Sequence, residues 1–233
     1  MRLGVALFSL LMVVDQSEAG DYDYLIQRRT EFEPRSIPNS VLAVIPTYDL
    51  AALVILNKPS IPDIIAHSRL PVPREAVMAK LRTYNGGREL LEREDVATAL
   101  LALYRDTPVG HSADRWPRTS LRHVHVFTLR EIEILASDRK VMDLATHGEL
   151  RAFLRTAIEK HDECQLHKDR YSNVGQYSCL LIGECLRRLG SPEFAEWVSI
   201  PENARAMEGL PFGPVRNWEP MLTMGRDFLA GSP

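Results

Sequence analysis

A chain of 233 residues is long enough to bury one large hydrophobic core. Its 45% hydrophobic and 25% charged residues exclude a disordered chain, a collagen and a multi-span membrane protein. With 28 Lys and Arg against 31 Asp and Glu, a net charge of -3 supplies no general attraction for nucleic acid or an anionic membrane, and no nucleic-acid partner is expected.

At the N-terminus Arg2 precedes an apolar run from Leu3 to Val14, broken only by Gly4 and Ser9, then polar Asp15 to Glu18 and Ala19-Gly20. That order is the pattern of a secretory signal peptide, with Ser17 and Ala19 in the small-residue cleavage positions. The run is too short to cross a hydrocarbon core of about 30 Å as a helix. Residues 1–19 are therefore expected to be a signal peptide and residues 20–233 a single globular helical domain. The mature protein is expected to be soluble, secreted or periplasmic, and without an integral membrane segment. A buried first element of a cytoplasmic protein is the alternative, because a run of this length suits both.

Between Asp21 and Pro73 the prolines at 34, 38, 46, 59, 62, 71 and 73 forbid a long uninterrupted helix, which predicts a proline-rich segment wrapping the domain. Val41 to Ile45 and Leu53 to Leu56 read there as short buried strands or helical turns. Val77, Leu81 and Tyr84 then follow helical spacing, and Asn85-Gly86-Gly87 is expected to end that helix. Arg88 to Arg105 reads as one helix, with Leu90, Ala97, Leu101 and Tyr104 on a shared face. Pro108, Gly110 and Pro117 predict a long loop from Asp106 to Ser120.

Leu121 to Leu129 alternates His123, His125 and Phe127 against Val124 and Val126, the period of a strand. Thr128 and Glu131 suit a capping box for short helices filling residues 129–147. Gly148 is expected to interrupt before a helix with the stripe Leu150, Phe153, Leu154, Ala157, Ile158 and His161. Asn173 and Gln176 suit the start of a helix over residues 174–189. Leu180, Leu181, Ile182, Leu186 and Leu189 make it apolar around most of its girth, which predicts the central buried element. Gly190 suits its C-terminal cap, Ser191-Pro192 restarts a helix at a tight corner, and Met221 to Ala230 reads as a closing helix. The expected fold is mainly α, with α+β as the alternative through a small β element around residues 121–129. Its core is drawn from residues 88–105, 149–165 and 174–189.

The densest ligand-type residues are His161, Cys164 and His167, where three-residue spacing leaves neighbours about 60° apart on a helix. They are the candidate zinc site, although no cofactor is expected on balance, because His161 and Cys164 equally continue an apolar stripe and no standard zinc spacing is present. His123 and His125 would share one strand face, with His111 and the carboxylates of Asp106 and Asp114 in the preceding loop, an arrangement suited to metal-dependent hydrolysis. Ser112 in Gly110 to Asp114 lacks the second glycine of a nucleophile elbow.

Cys179 and Cys185, six residues apart on one helix, point about 240° apart and cannot pair. Cys164 could bridge to either one, and three buried free thiols are the alternative. Trp116, between Arg115 and Arg118, reads as a surface anchor for a protein partner. Thr128 to Leu135 resembles the opening helix of LuxR-type DNA-binding domains. The residues from Ala136 to Gly148 supply no basic recognition helix, so the resemblance implies no DNA binding.

With no P-loop and no dinucleotide fingerprint, the expected function is that of a non-enzymatic, exported helical protein binding another macromolecule. The alternative is the metal-dependent hydrolase using His123 and His125. Mass spectrometry of the protein from its native host should find an N-terminus close to Gly20, and a chain still beginning at Met1 would overturn the export reading.

Overall fold

The computed structural model describes residues 36–57, 74–107, 126–166, 175–208 and 219–231. The described residues form helices joined by tight corners, with no strand among them.

Residues 36–57 enter the core, and the rest of the proline-rich segment expected to wrap the domain lies outside the described residues. Helix α1 (Asn39–Leu42) leads through a short turn into α2 (Thr47–Asn57). In α2 every residue from Leu50 to Ile55 is buried, so Val41 to Leu42 and Leu53 to Leu56 are helical and the wrapping segment is not what residues 36–57 make. Pro38 and Pro46 stand just ahead of α1 and α2, where a helix has no use for the missing N–H. They start helices here and do not stop them.

Helix α3 (Arg74–Thr83) gives way at Tyr84 to α4 (Asn85–Glu92), followed after Arg93 to Asp95 by α5 (Val96–Asp106). The helix through Leu81 thus ends just before Asn85-Gly86-Gly87, as the sequence suggested, and those three residues open the next helix. The Asn85 side chain accepts the Ile37 N–H at 3.0 Å and donates to the Ile37 carbonyl at 2.7 Å, fastening the chain ahead of α1 to α4. A Cβ on Gly86 would stand 2.7 Å from Ile37 Cδ1, and one on Gly87 would strike the Leu81 carbonyl. The two glycines permit close approach within the helix they open.

The single helix expected over residues 88–105 is split by an elbow, and Arg93 shows why. Its guanidinium donates to the carbonyls of Leu42 at 2.7 Å and Ile45 at 2.5 Å, and to the Thr47 hydroxyl at 3.2 Å. It thereby satisfies carbonyls at the end of α1 and in the turn beyond it, which no helix bond can reach. Thr47 donates in turn to Asp95 at 2.7 Å. A straight helix would carry Arg93 and Asp95 away from these partners.

Helices α6 (Val126–Ala136) and α7 (Arg139–Leu144) follow. Val126 to Leu129 form the opening of α6, so the expected β element is absent from the part of 121–129 that is described, and residues 121–125 lie outside the described residues. Leu129, Ile132, Leu135 and Ala136 are fully buried at helical spacing, which outweighs the local alternation. Thr128 consequently sits inside α6 and is not its cap.

The capping box falls instead at Thr146 and Glu149, ahead of α8 (His147–Leu166). The Thr146 N–H donates to Glu149 Oε2 at 2.8 Å and the Glu149 N–H to Thr146 Oγ1 at 3.2 Å. Burial would raise the Glu149 pKa, but hydrogen bonds from Thr98 and Thr146 to its carboxylate hold it below the ordinary value. Gly148 is exposed in the first turn of α8 and interrupts nothing. Lys160 ties α8 to the end of α5 by donating to the Thr107 carbonyl at 2.6 Å.

Helix α9 (Gly175–Leu189) packs most extensively against α8 and also touches α6, α7 and two later helices. Every residue from Ser178 to Leu186 is buried, as the apolar girth implied. At its end Gly190 takes φ 73° and donates to the Arg187 carbonyl, while the Ser191 N–H reaches the Leu186 carbonyl at 3.0 Å, the Schellman pattern. Ser191 then caps α10 (Pro192–Val198) by accepting the Phe194 N–H, with Pro192 in the first turn. Helix α11 (Pro201–Glu208) follows, and α12 (Glu219–Gly231) closes the fold.

Buried residues from all three expected core segments belong to one hydrophobic cluster, joined by α2, α6 and α12. No helix among the described residues is long and apolar enough to cross a membrane. Replacing Arg93 with Ala should cost on the order of 2 kcal/mol, because it strips charged donors from partly buried carbonyls. Urea unfolding should show a lower midpoint at unchanged slope, and an unchanged midpoint would refute this role of Arg93.

Candidate functional site

Most residues singled out in the sequence lie outside the described residues: His111, Arg115, Trp116, Arg118, His123, His125 and His167. Cys164 belongs to α8, but its side chain is outside what is described, while His161 is buried one turn away from Ala157 and Ile158 on the apolar stripe. Among the described residues no three His, Cys, Asp or Glu side chains converge as metal ligands. Cys179 and Cys185 are free buried thiols among the described residues, and the side chain of Cys164, the other half of the expected bridge, lies outside them.

The interior does hold a polar junction. Glu133 of α6, 1% exposed, accepts the Tyr104 hydroxyl of α5 at 2.6 Å and the Ser178 hydroxyl of α9 at 2.7 Å. A carboxylate removed from water is costly unless donors surround it, and these two draw three helices onto one oxygen. Sequence reasoning missed Glu133. The available signal was its position inside Leu129 to Ala136, where buried Ile132, Ile134 and Leu135 leave no wet face.

Beside this junction, burial pushes the Cys179 thiol far above its ordinary range, and the charges of Glu133 and Glu219 push it further. Burial and then Glu184 do the same to Cys185. Both therefore stay protonated and make poor nucleophiles or metal ligands. The junction binds helices together and offers no reactive group.

A concave opening lies between α10 and α12. Pro192 and Glu193 form one wall, and Met224, Asp227, Phe228 and Gly231 form the other, enclosing about 290 Å³. The α12 residues recur at intervals of three, four and seven, so they occupy one face of that helix. Its core face is a different one, carrying Met221, Leu222 and Gly225. At Gly225 a Cβ would stand 3.1 Å from Ile158 Cδ1 and 3.3 Å from Ile182 Cγ2, so α12 lies close against α8 and α9. Met224 and Phe228 are left half-buried at the opening.

Several contacts position the walls of this groove. The Schellman corner at Gly190 aims α10, and Trp197 stacks on buried Phe194 with ring centroids 6.0 Å apart. Arg226 binds Asp162 at 2.6 Å, tying the outer side of α12 to α8, and the Arg151 guanidinium stands 6.0 Å from the Phe228 ring centroid. Glu193 accepts the Ser191 hydroxyl at 3.0 Å. Among the described residues neither Glu193 nor Asp227 has an ion-pair partner, and both are exposed. Met224 and Phe228 are packed against the core at the margin of the closing helix's apolar stripe, so the sequence alone does not set them apart.

No protein family matches the chain, and neither a curated protein nor a solved structure is detectably similar to it.

Because their pKa values are raised, Cys179 and Cys185 should resist iodoacetamide in the folded protein at pH 8 and react once it is unfolded in urea. Labelling of either in the native state at the unfolded rate, read by peptide mass spectrometry, would contradict their burial.

Proposed function

We propose that the chain is a non-enzymatic helical protein that binds another macromolecule, exported by its N-terminal segment, and that the groove between α10 and α12 is part of its docking surface. The observation supporting this is the pair of half-buried apolar side chains, Met224 and Phe228, held at a concave opening by two well-anchored helices. Sites that engulf a small molecule usually exceed about 300 Å³ and bury most of it. A groove of about 290 Å³ open to solvent suits an inserted side chain of a larger partner better. Its lining includes no histidine, cysteine or hydroxyl, and its two carboxylates, Glu193 and Asp227, are exposed.

A photo-reactive amino acid at position 224 should form a discrete covalent adduct in the native host. The same group at exposed Glu94, in the elbow before α5, should not. Equal cross-linking from both positions, or none from position 224, would overturn the reading.

A further inference from the structure

We infer that residues 37–45 form a strap that opens as one unit from the otherwise folded protein, uncovering the notch at Gly86 in α4. No residue of the α10–α12 groove takes part. The backbone bonding of the strap is internal: the amides of Val41 and Leu42 donate to the Pro38 carbonyl, that of Ala43 to Asn39, and those of Val44 and Ile45 to Val41. A single helical turn has little stability of its own, because nucleation fixes several residues for very few bonds. The strap is therefore held by what reaches it from the rest of the fold.

Two kinds of contact do so. The polar ones come from side chains distant in sequence: Asn85, bonded both ways to Ile37, and Arg93, on the carbonyls of Leu42 and Ile45. The apolar ones come from buried Ile37, Leu42 and Ile45 and half-buried Val41, while Asn39, Ser40, Ala43 and Val44 are exposed. Ile37 seats where α4 carries no side chain, since a Cβ on Gly86 would stand 2.7 Å from Ile37 Cδ1.

This hold is weaker than that on the helix it leads into. Helix α2 buries every residue from Leu50 to Ile55, whereas the strap turns about half of its residues to solvent. On opening, water takes over the backbone groups of Ile37, Leu42 and Ile45, so their polar contacts are exchanged and not left unmade. Arg93 is not stranded either, because it keeps the Thr47 hydroxyl at 3.2 Å and the Glu89 carboxylate at 3.5 Å. Segments with few buried apolar contacts open below the global transition.

Native-state amide hydrogen exchange of the full chain in a series of sub-denaturing urea concentrations tests this. The amides of Ile37, Val41, Leu42, Ala43 and Ile45 should share one urea-dependent opening, about tenfold or more faster than Leu50 to Ile55 and Ser178 to Leu186. Asn85→Ala should speed the strap amides about tenfold. Ile182→Val, in the fully buried stretch of α9, should speed the α2 and α9 amides several-fold through global unfolding and leave the strap rates unchanged. Strap amides that exchange no faster than those of α2, that open one by one without urea dependence, that ignore Asn85→Ala, or that follow Ile182→Val in step with the core would each overturn the inference.

Discussion

A helix without a wet face must be walled on every side, and α9 imposes that demand on the rest of the chain. From Ser178 to Leu186 nothing reaches solvent, so α8, α6, α12, α10 and α7 each take a position around it. Burying those side chains is strongly favourable, but it also encloses polar atoms. The Ser178 hydroxyl finds Glu133, which also receives Tyr104. The hydrogen-bonded junction therefore follows from the apolar packing, because the wall that covers α9 must supply partners for what it covers.

A second demand comes from the N-terminal third. Helix α1 is a single turn whose end would leave carbonyls unsatisfied, and α2 is too deeply buried for water to serve. Arg93 answers from the elbow between α4 and α5, and Asn85 does the same for Ile37. Side chains standing in for helix bonds let two very short segments act as one wall of the core.

Much of the helical scaffold was legible from the residues alone. The girth of α9, the positive-φ glycine at 190, the Ser191-Pro192 corner and the closing helix all follow from local rules that burial here reinforces. Other elements were misread where one residue type serves two ends. Gly86 and Gly87 follow a helix end at Thr83, but they also sit inside the next helix because Ile37 and Leu81 pass too close for any Cβ. Pro38 and Pro46 looked like barriers and are helix starts. Val126 to Leu129 alternate like a strand, but their continuation through Ile132 and Leu135 carries the helical period that burial selects. The groove was faint because half-buried Met224 and Phe228 look in sequence like ordinary core residues. Its two walls come together only when α10 and α12 pack.

The free thiols of α9 have a further meaning. Cys179 and Cys185 contribute to the core as small apolar groups and are not joined to each other or to another described residue. The part of the core around α9 is thus joined by side-chain packing and by the hydrogen bonds on Glu133, and its two described thiols take part as apolar bulk whatever the redox state of their surroundings.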